Sequence, residues 1–263
     1  MANESAPQLG NLWHDKFYAL IRDSLGLDGA KDISSRDLLW NLLHLQNDSD
    51  LLEEVENSIK GRNVVVFGAG PSLESDLTGL LSFLREKKPT IVSSDGAAEA
   101  LLVRDVDSRI IVSDLDSCSE GTLKKYSESE TVFAHAHGDN IELIKKIVPR
   151  LGRKTLGTTQ VASRLPIRNF GGFTDGDRAC YVTCNFDPSS VIIAGMDFGR
   201  VEGSYSVNRY SDSPNPKRQT KLLWGKKSLE YLISIYPETK FYNVTKFGLQ
   251  IEGTVRASYD RFS

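Results

Sequence analysis

Apolar residues in the first 60 positions recur three and four apart. Trp13, Phe17, Leu20, Ile21 and Leu25 form one such series, closed by Gly26. Ser34-Ser35-Arg36-Asp37 offer caps to a second helix carrying Leu38, Leu39, Leu42, Leu43 and Leu45. A third helix is predicted from Asp50 to Lys60, stopped by Gly61. From Asn63 the pattern changes to short apolar runs, which predict strands at 64–67, 90–93, 109–113, 131–134, 154–157, 191–194 and 240–243. Amphipathic stretches at 73–85, 97–104 and 140–148 lie between them. Short runs apolar on both faces are what a parallel sheet covered by helices requires. The chain is therefore expected to be α/β, with a Rossmann-like, doubly wound, mostly parallel sheet. Residues 1–60 form an N-terminal helical appendage for packing or self-association as a homodimer. Residues 61–235 form the α/β domain, and 236–263 extend it with a last strand.

Composition narrows the function classes. The chain has 263 residues, 40% hydrophobic and 25% charged, with net charge −3. It has no global basic field for gathering nucleic acid. No run approaches the roughly 20 apolar residues that cross a bilayer. The start, MANESAPQLG, lacks the charged-then-apolar layout of a secretory signal. Cys118, Cys180 and Cys184 show no disulfide framework spacing, and reduced thiols in a cytoplasm are expected.

Ligands of doubly wound sheets sit at the carboxyl ends of the strands. Those ends read Gly68-Ala69-Gly70-Pro71-Ser72, Ser94-Asp95-Gly96, Asp114-Leu115-Asp116, His135-Ala136-His137-Gly138-Asp139 and Gly195-Met196-Asp197. Asp and Gly also favour turns and caps, so it is the recurrence at successive strand ends that points to a site. GAGPS is an incomplete dinucleotide fingerprint, with Leu73 at the third glycine position, and no Gly-Lys-Ser/Thr follows. It predicts a tight turn whose free amides take a phosphate or carboxylate, as an S-adenosylmethionine loop would.

Asp114 and Asp116 lie two apart, as strand residues that face one cleft do. Paired carboxylates repel unless a cation lies between them, and oxygen-only donors suit Mg²⁺. Alternatively, Asp116 or Ser117 caps a helix over 118–126. Asp139 is the candidate third ligand. His135 and His137 lack the further ligands that a zinc site needs, so they are expected to orient and hydrogen-bond at a cleft edge. Cys180 and Cys184 are spaced for one helix face and read as core.

Taken in order, GAGPSL, SSDGAAEALL, IIVSDLDSCSEG, HAHGDN, GTTQ, NFGGFTDGDRACYV and AGMDFG resemble the archaeal 6-hydroxymethyl-7,8-dihydropterin pyrophosphokinase family over roughly residues 61–235. Asp95-Gly96-Ala97 and Ser113-Asp114-Leu115-Asp116-Ser117 also resemble motifs of the related thiamin pyrophosphokinases, whose catalytic domain the fold is expected to share. Those enzymes carry glycines where Ala97 and Ser113 stand, which favours the pterin branch.

The resemblance implies transfer of pyrophosphate from ATP to the pterin alcohol with release of AMP. It implies Mg²⁺ on Asp114, Asp116 and Asp139, with Asp114 and Asp116 central to catalysis. ATP is expected at Gly68, Gly70, Pro71, Ser72 and Asp95. The stretch 211–232 supplies Lys217 and Lys221, either as a loop closing over the triphosphate or as a solvated helix terminus. His137, Asn169, Asp175 and Asp177, with Phe170 and Phe173, are the pterin-side candidates, and both aspartates could equally cap the next helix. The competing readings are a thiamin pyrophosphokinase, a sugar-nucleotide-using protein related to motility glycosylation, and a methyltransferase or nucleotide-binding module.

Overall fold

The computed structural model describes residues 6–199 and 216–262. Eight strands form one sheet: β1 (Asn63–Phe67), β2 (Thr90–Ser94), β3 (Ile110–Ser113), β4 (Thr131–Ala136), β5 (Thr155–Thr159), β6 (Ser190–Ala194), β7 (Lys240–Asn243) and β8 (Val255–Arg256). Their order is β5-β4-β3-β2-β1-β6-β7-β8, and every paired strand runs parallel. All seven expected strands are present, and β8, two residues long, carries too little pattern to be read from sequence. The chain steps outward from β1 to β5 and then returns to the other side of β1. The order reverses between β1 and β6, where open α/β sheets leave a crevice for ligands.

Alternation along the strands divides the core in two. Val64, Val66, Val92, Ile110, Val112, Phe133, Val191 and Ile193 face one side. That side is covered by α1 (Ala6–Trp13), α2 (Ala19–Leu25), α4 (Ser49–Ile59), α9 (Asp175–Cys184) and α10 (Pro216–Ile235). Val65, Phe67, Ile91, Ile192 and Ala194 face α5 (Leu73–Lys87) and α6 (Asp95–Val103) on the other side. There Ile111, Val132 and Ala134 meet α3 (Gly29–Leu43), α7 (Glu120–Ser129) and α8 (Ile141–Ile147). Period-2 burial on both faces is the physical reason for the continuous apolar runs.

The N-terminal helices are part of this cover. Trp13 is fully buried, and its indole Nε1 donates to Ser228 Oγ of α10 at 2.9 Å. A π-helical turn, His14–Tyr18, joins α1 to α2 and buries Phe17 and Tyr18. The second helix starts earlier than its serines predict. Asp28 caps α3 by accepting from the amides of Ala30 and Lys31, so Ser34 and Ser35 lie inside it. The expected loop at 211–215 lies outside the described residues, and Lys217 and Lys221 stand in the first turns of α10. Cys118, Cys180 and Cys184 are buried and unpaired.

Replacing Trp13 with Ala removes a fully buried ring and orphans a hydroxyl partner. Urea unfolding is expected to show a loss of about 3–5 kcal/mol. A loss below about 1 kcal/mol would place the first helix outside the cooperative core.

Candidate active site

The ends of β2 and β3 bring three carboxylates together. Asp95, Asp114 and Asp116 each offer an oxygen within 4.8 Å of the others. Strand alternation does not produce this pairing, because β3 ends at Ser113. Leu115 turns the chain with φ 72°, a left-handed conformation that costs a branched residue about 1 kcal/mol or more. Its side chain is buried among Leu123, Tyr126 and Ala134, and its amide donates to Ser113 Oγ at 2.9 Å. Core packing thus holds the turn that puts Asp116 beside Asp114.

The alternative capping role is settled by the next helix. Ser119 is the N-cap of α7, its Oγ accepting from the Thr122 amide at 3.1 Å. Asp116 therefore has no capping duty. Asp95 opens α6 and accepts from the Ser117 amide at 2.9 Å, which ties the two loops together.

Burial raises all three carboxyls, and their neighbours then separate them. Asp95 is pushed up to about 7 by burial and by the charge of Asp114. Asp116 is also pushed up to about 7, by burial and by the charge of Asp114 and a hydrogen bond to it. Burial acts on Asp114 too, but a hydrogen bond from His137 and the positive charge of Lys221 outweigh it. They hold Asp114 well below the usual carboxylate range. His137 Nε2 stands 3.5 Å from Asp114 Oδ2. Asp95 Oδ1 and Asp114 Oδ1 are buried with no hydrogen-bond partner. An all-oxygen donor set with orphaned buried oxygens fits a hard divalent cation such as Mg²⁺.

Asp114 and Asp116 line a cavity of about 590 Å³, with Asp95 buried behind them, and its wall also includes His137, Asp139, Asp175, Lys217 and Lys221. Asp139 faces this cavity but is not one of the three clustered carboxylates; its amide donates to His137 Nδ1 at 3.3 Å. Gly68, Gly70 and Pro71 line the cavity too. Three amides of their turn are already engaged within the protein, however. The Gly68 amide donates to Ala194 O, that of Gly70 to Gly195 O and that of Ser72 to Asp197 Oδ2. A Cβ on Gly70 would stand 2.6 Å from Gly195 O, so close packing at the β1/β6 crevice is what requires glycine. Ser72 is fully buried, its Oγ donating to Asp197 Oδ1 at 2.5 Å.

Two further candidates shape the wall from behind. Asn169 accepts from the Gly171 amide at 2.8 Å and donates to Val161 O at 3.2 Å. Asp177 closes a capping box with Thr174 and accepts from the Phe173 amide at 2.8 Å. Both are buried, and their hydrogen bonds are spent within the protein. Asp175 does face the cavity. Burial and then the charge of Asp114 push its carboxyl well above the usual range, and Arg178 pairs with it at 2.9 Å.

Sequence reasoning missed two organising residues. Asn140 Nδ2 donates to Asp114 O at 2.8 Å and to His135 O at 2.7 Å, joining the ends of β3 and β4. Asp32 of α3 accepts from the Gly138 amide at 2.7 Å, from Tyr18 at 2.7 Å and from Gln160 at 3.0 Å. The available signal was phase: Asp32, Ser35, Leu39 and Leu43 share the buried face of α3, where a carboxylate needs partners. Among the described residues His135 joins no ligand cluster; its Nδ1 meets Thr158 Oγ1 at 2.8 Å, and burial holds the ring well below its usual pKa.

The site is an acidic cluster at the strand ends of a Rossmann-like sheet, beside a cavity that two lysines line. Sequence comparison gives the family. The family described as 6-hydroxymethylpterin diphosphokinase MptE-like matches residues 36–203. The 6-hydroxymethyl-7,8-dihydropterin pyrophosphokinase of Methanocaldococcus jannaschii is 41% identical over 198 residues, spanning 72% of this chain and 80% of that protein. The enzyme of the same name from Methanothermobacter thermautotrophicus is 33% identical over 82% of this chain and 92% of that protein. Its namesake from Pyrococcus furiosus is 33% identical over 82% and 91%. The chain belongs to this pterin pyrophosphokinase family. A solved MAf glycosyltransferase from Magnetospirillum magneticum AMB-1 aligns with TM-score 0.55 at 16% identity over 80% of this chain. This chain spans 38% of that one, and the likeness is one of fold.

In metal-free protein, Asp95 and Asp116 keep protons that the unfolded chain releases near pH 4. Folded pKa values raised in this way make stability fall as pH climbs from about 4 to about 7. A cation binds the ionised folded site, so it opposes that fall. The Tm gain from saturating Mg²⁺ is expected to be larger at about pH 8 than at about pH 5. Equal gains at the two pH values, by differential scanning fluorimetry, would contradict binding at this cluster.

Proposed function

We propose that the chain transfers the pyrophosphoryl group of ATP to the hydroxymethyl oxygen of 6-hydroxymethyl-7,8-dihydropterin, releasing AMP, in pterin-type cofactor synthesis in the cytoplasm. The observation that carries the reading is the three-carboxylate cluster, two of whose members line a cavity together with Lys217 and Lys221. Family membership supplies the substrate class, since the relatives named above are all pterin enzymes.

In this reading Asp95, Asp114 and Asp116 hold Mg²⁺, which when bound neutralises phosphate charge and aligns the reacting oxygens. Lys217 and Lys221 bind the remaining phosphate charge. The alcohol oxygen forms a bond to the β-phosphorus while the bond between that phosphorus and the α-bridging oxygen breaks. AMP departs with the electron pair. Positioning and charge stabilisation dominate such transfers, so the alcohol proton leaves late and no strong base is needed. His137 fixes Asp114 from the β4 end, keeping its carboxylate ionised for the cation.

With ATP, Mg²⁺ and the dihydropterin alcohol, the protein is expected to form AMP and the pterin diphosphate. Asp114→Asn and Asp116→Asn should each lower kcat on the order of 100-fold or more. Formation of ADP in place of AMP would refute pyrophosphoryl transfer. Turnover of thiamin in preference to the pterin would move the chain to the thiamin reading.

A further inference from the structure

The first turn of α9 carries features that neither its fold nor the phosphate chemistry uses. Arg178 is only 3% exposed yet lines the cavity. One terminal nitrogen pairs with Asp175 at 2.9 Å and the other donates to Phe173 O at 2.7 Å. Its Nε, equally buried, has no partner. A buried guanidinium N–H left unsatisfied costs free energy, and a cavity wall is where a ligand can satisfy it.

Gly176 makes a second and independent observation. It stands in the first turn of α9, where glycine is a poorer choice than alanine. Its backbone is not in the left-handed region, and the nearest atoms a Cβ there would meet are those of Met196, at an ordinary 3.6–3.7 Å. The fold therefore has room for a side chain at this position. Gly176 lines the cavity, so the missing side chain leaves ligand space.

Asp175 offers a carboxyl beside Arg178, whose charge favours the ionised form once a cation offsets Asp114, and Phe173 stands on the same wall. An acceptor pair adjoining a single N–H donor complements the edge of a 2-amino-4-oxo heterocycle. The ring's amino group and neighbouring N–H donate to a carboxylate, and its carbonyl accepts.

We propose that the turn Phe173–Arg178 is the element that reads the heterocycle. Asp175 accepts from the 2-amino and N3–H groups, Arg178 Nε–H donates to the 4-oxo oxygen, and Gly176 leaves room for the flat ring. The assignment rests on the pyrophosphokinase reading and deepens it, since it gives the pterin-side candidate Asp175 a stated partner on the ring and adds Arg178 and Gly176 to it. It also separates Asp175 from Asp177, whose carboxylate is consumed by the capping box.

The test measures AMP release while varying the pterin alcohol and ATP separately, and repeats the pterin series with its 2-deamino analogue. Asp175→Asn and Arg178→Gln should raise the KM for the pterin alcohol about 10- to 100-fold and leave the KM for ATP within about threefold. Wild-type preference for the pterin over the 2-deamino analogue should collapse in Asp175→Asn. Because a buried arginine variant could fail to fold, Gly176→Ala is the companion. Its Tm should equal or exceed that of the wild type, while its KM for the pterin rises. If Gly176→Ala and Asp175→Asn leave pterin KM and analogue preference unchanged, or raise the KM for ATP instead, the assignment is wrong although the proposed reaction stands. Absence of AMP from the wild type would overturn both.

Discussion

Three carboxylates crowded at the ends of β2 and β3 are the constraint around which the rest of the molecule is arranged. Left alone, buried acids at this spacing repel, and two of the three retain protons near neutrality. The protein accepts that cost at several positions. Leu115 takes a left-handed backbone, Asn140 commits its amide to the carbonyls of Asp114 and His135, and buried carboxylate oxygens go unpaired. Strain and unsatisfied groups of this kind persist where a ligand recovers the free energy.

The surrounding elements serve that cluster from different directions. His137 arrives from β4, Lys221 from α10 and Ser117 from the loop after β3. Asp32 reaches over from α3 to fix the Gly138 amide, which brings the N-terminal helices into the construction of the site. The turn after β1 contributes shape: its glycines let β1 and β6 close on each other, and the amides of Gly68, Gly70 and Ser72 are already bonded.

Much of the architecture was legible because it depends on burial periodicity. Val64–Phe67 and Val191–Ala194 are apolar on both faces because helices cover both faces. Asp114 and Asp116 were legible as a pair for a different reason, since two acids after a buried run have few structural uses. The geometry that joins them was not legible, because a leucine at φ 72° has no sequence mark. Nor was the third member: Asp95 reads as an ATP-side residue at its own strand end, and only the sheet order, with β2 beside β3, joins it to the other two. Long-range hydrogen bonds decided the rest. Asn169 and Asp177 looked like ligands because polar residues in a glycine-rich stretch look alike whether they face a cavity or cap a helix.

The proposed chemistry depends on Asp95, Asp114 and Asp116 together holding one divalent cation. Mn²⁺ titration followed by electron paramagnetic resonance tests it without reference to turnover. One bound Mn²⁺ per chain is expected in the wild-type protein, displaced by Mg²⁺, with binding lost in Asp114→Asn and weakened in Asp95→Asn. Undiminished Mn²⁺ binding in the Asp114→Asn variant would contradict it.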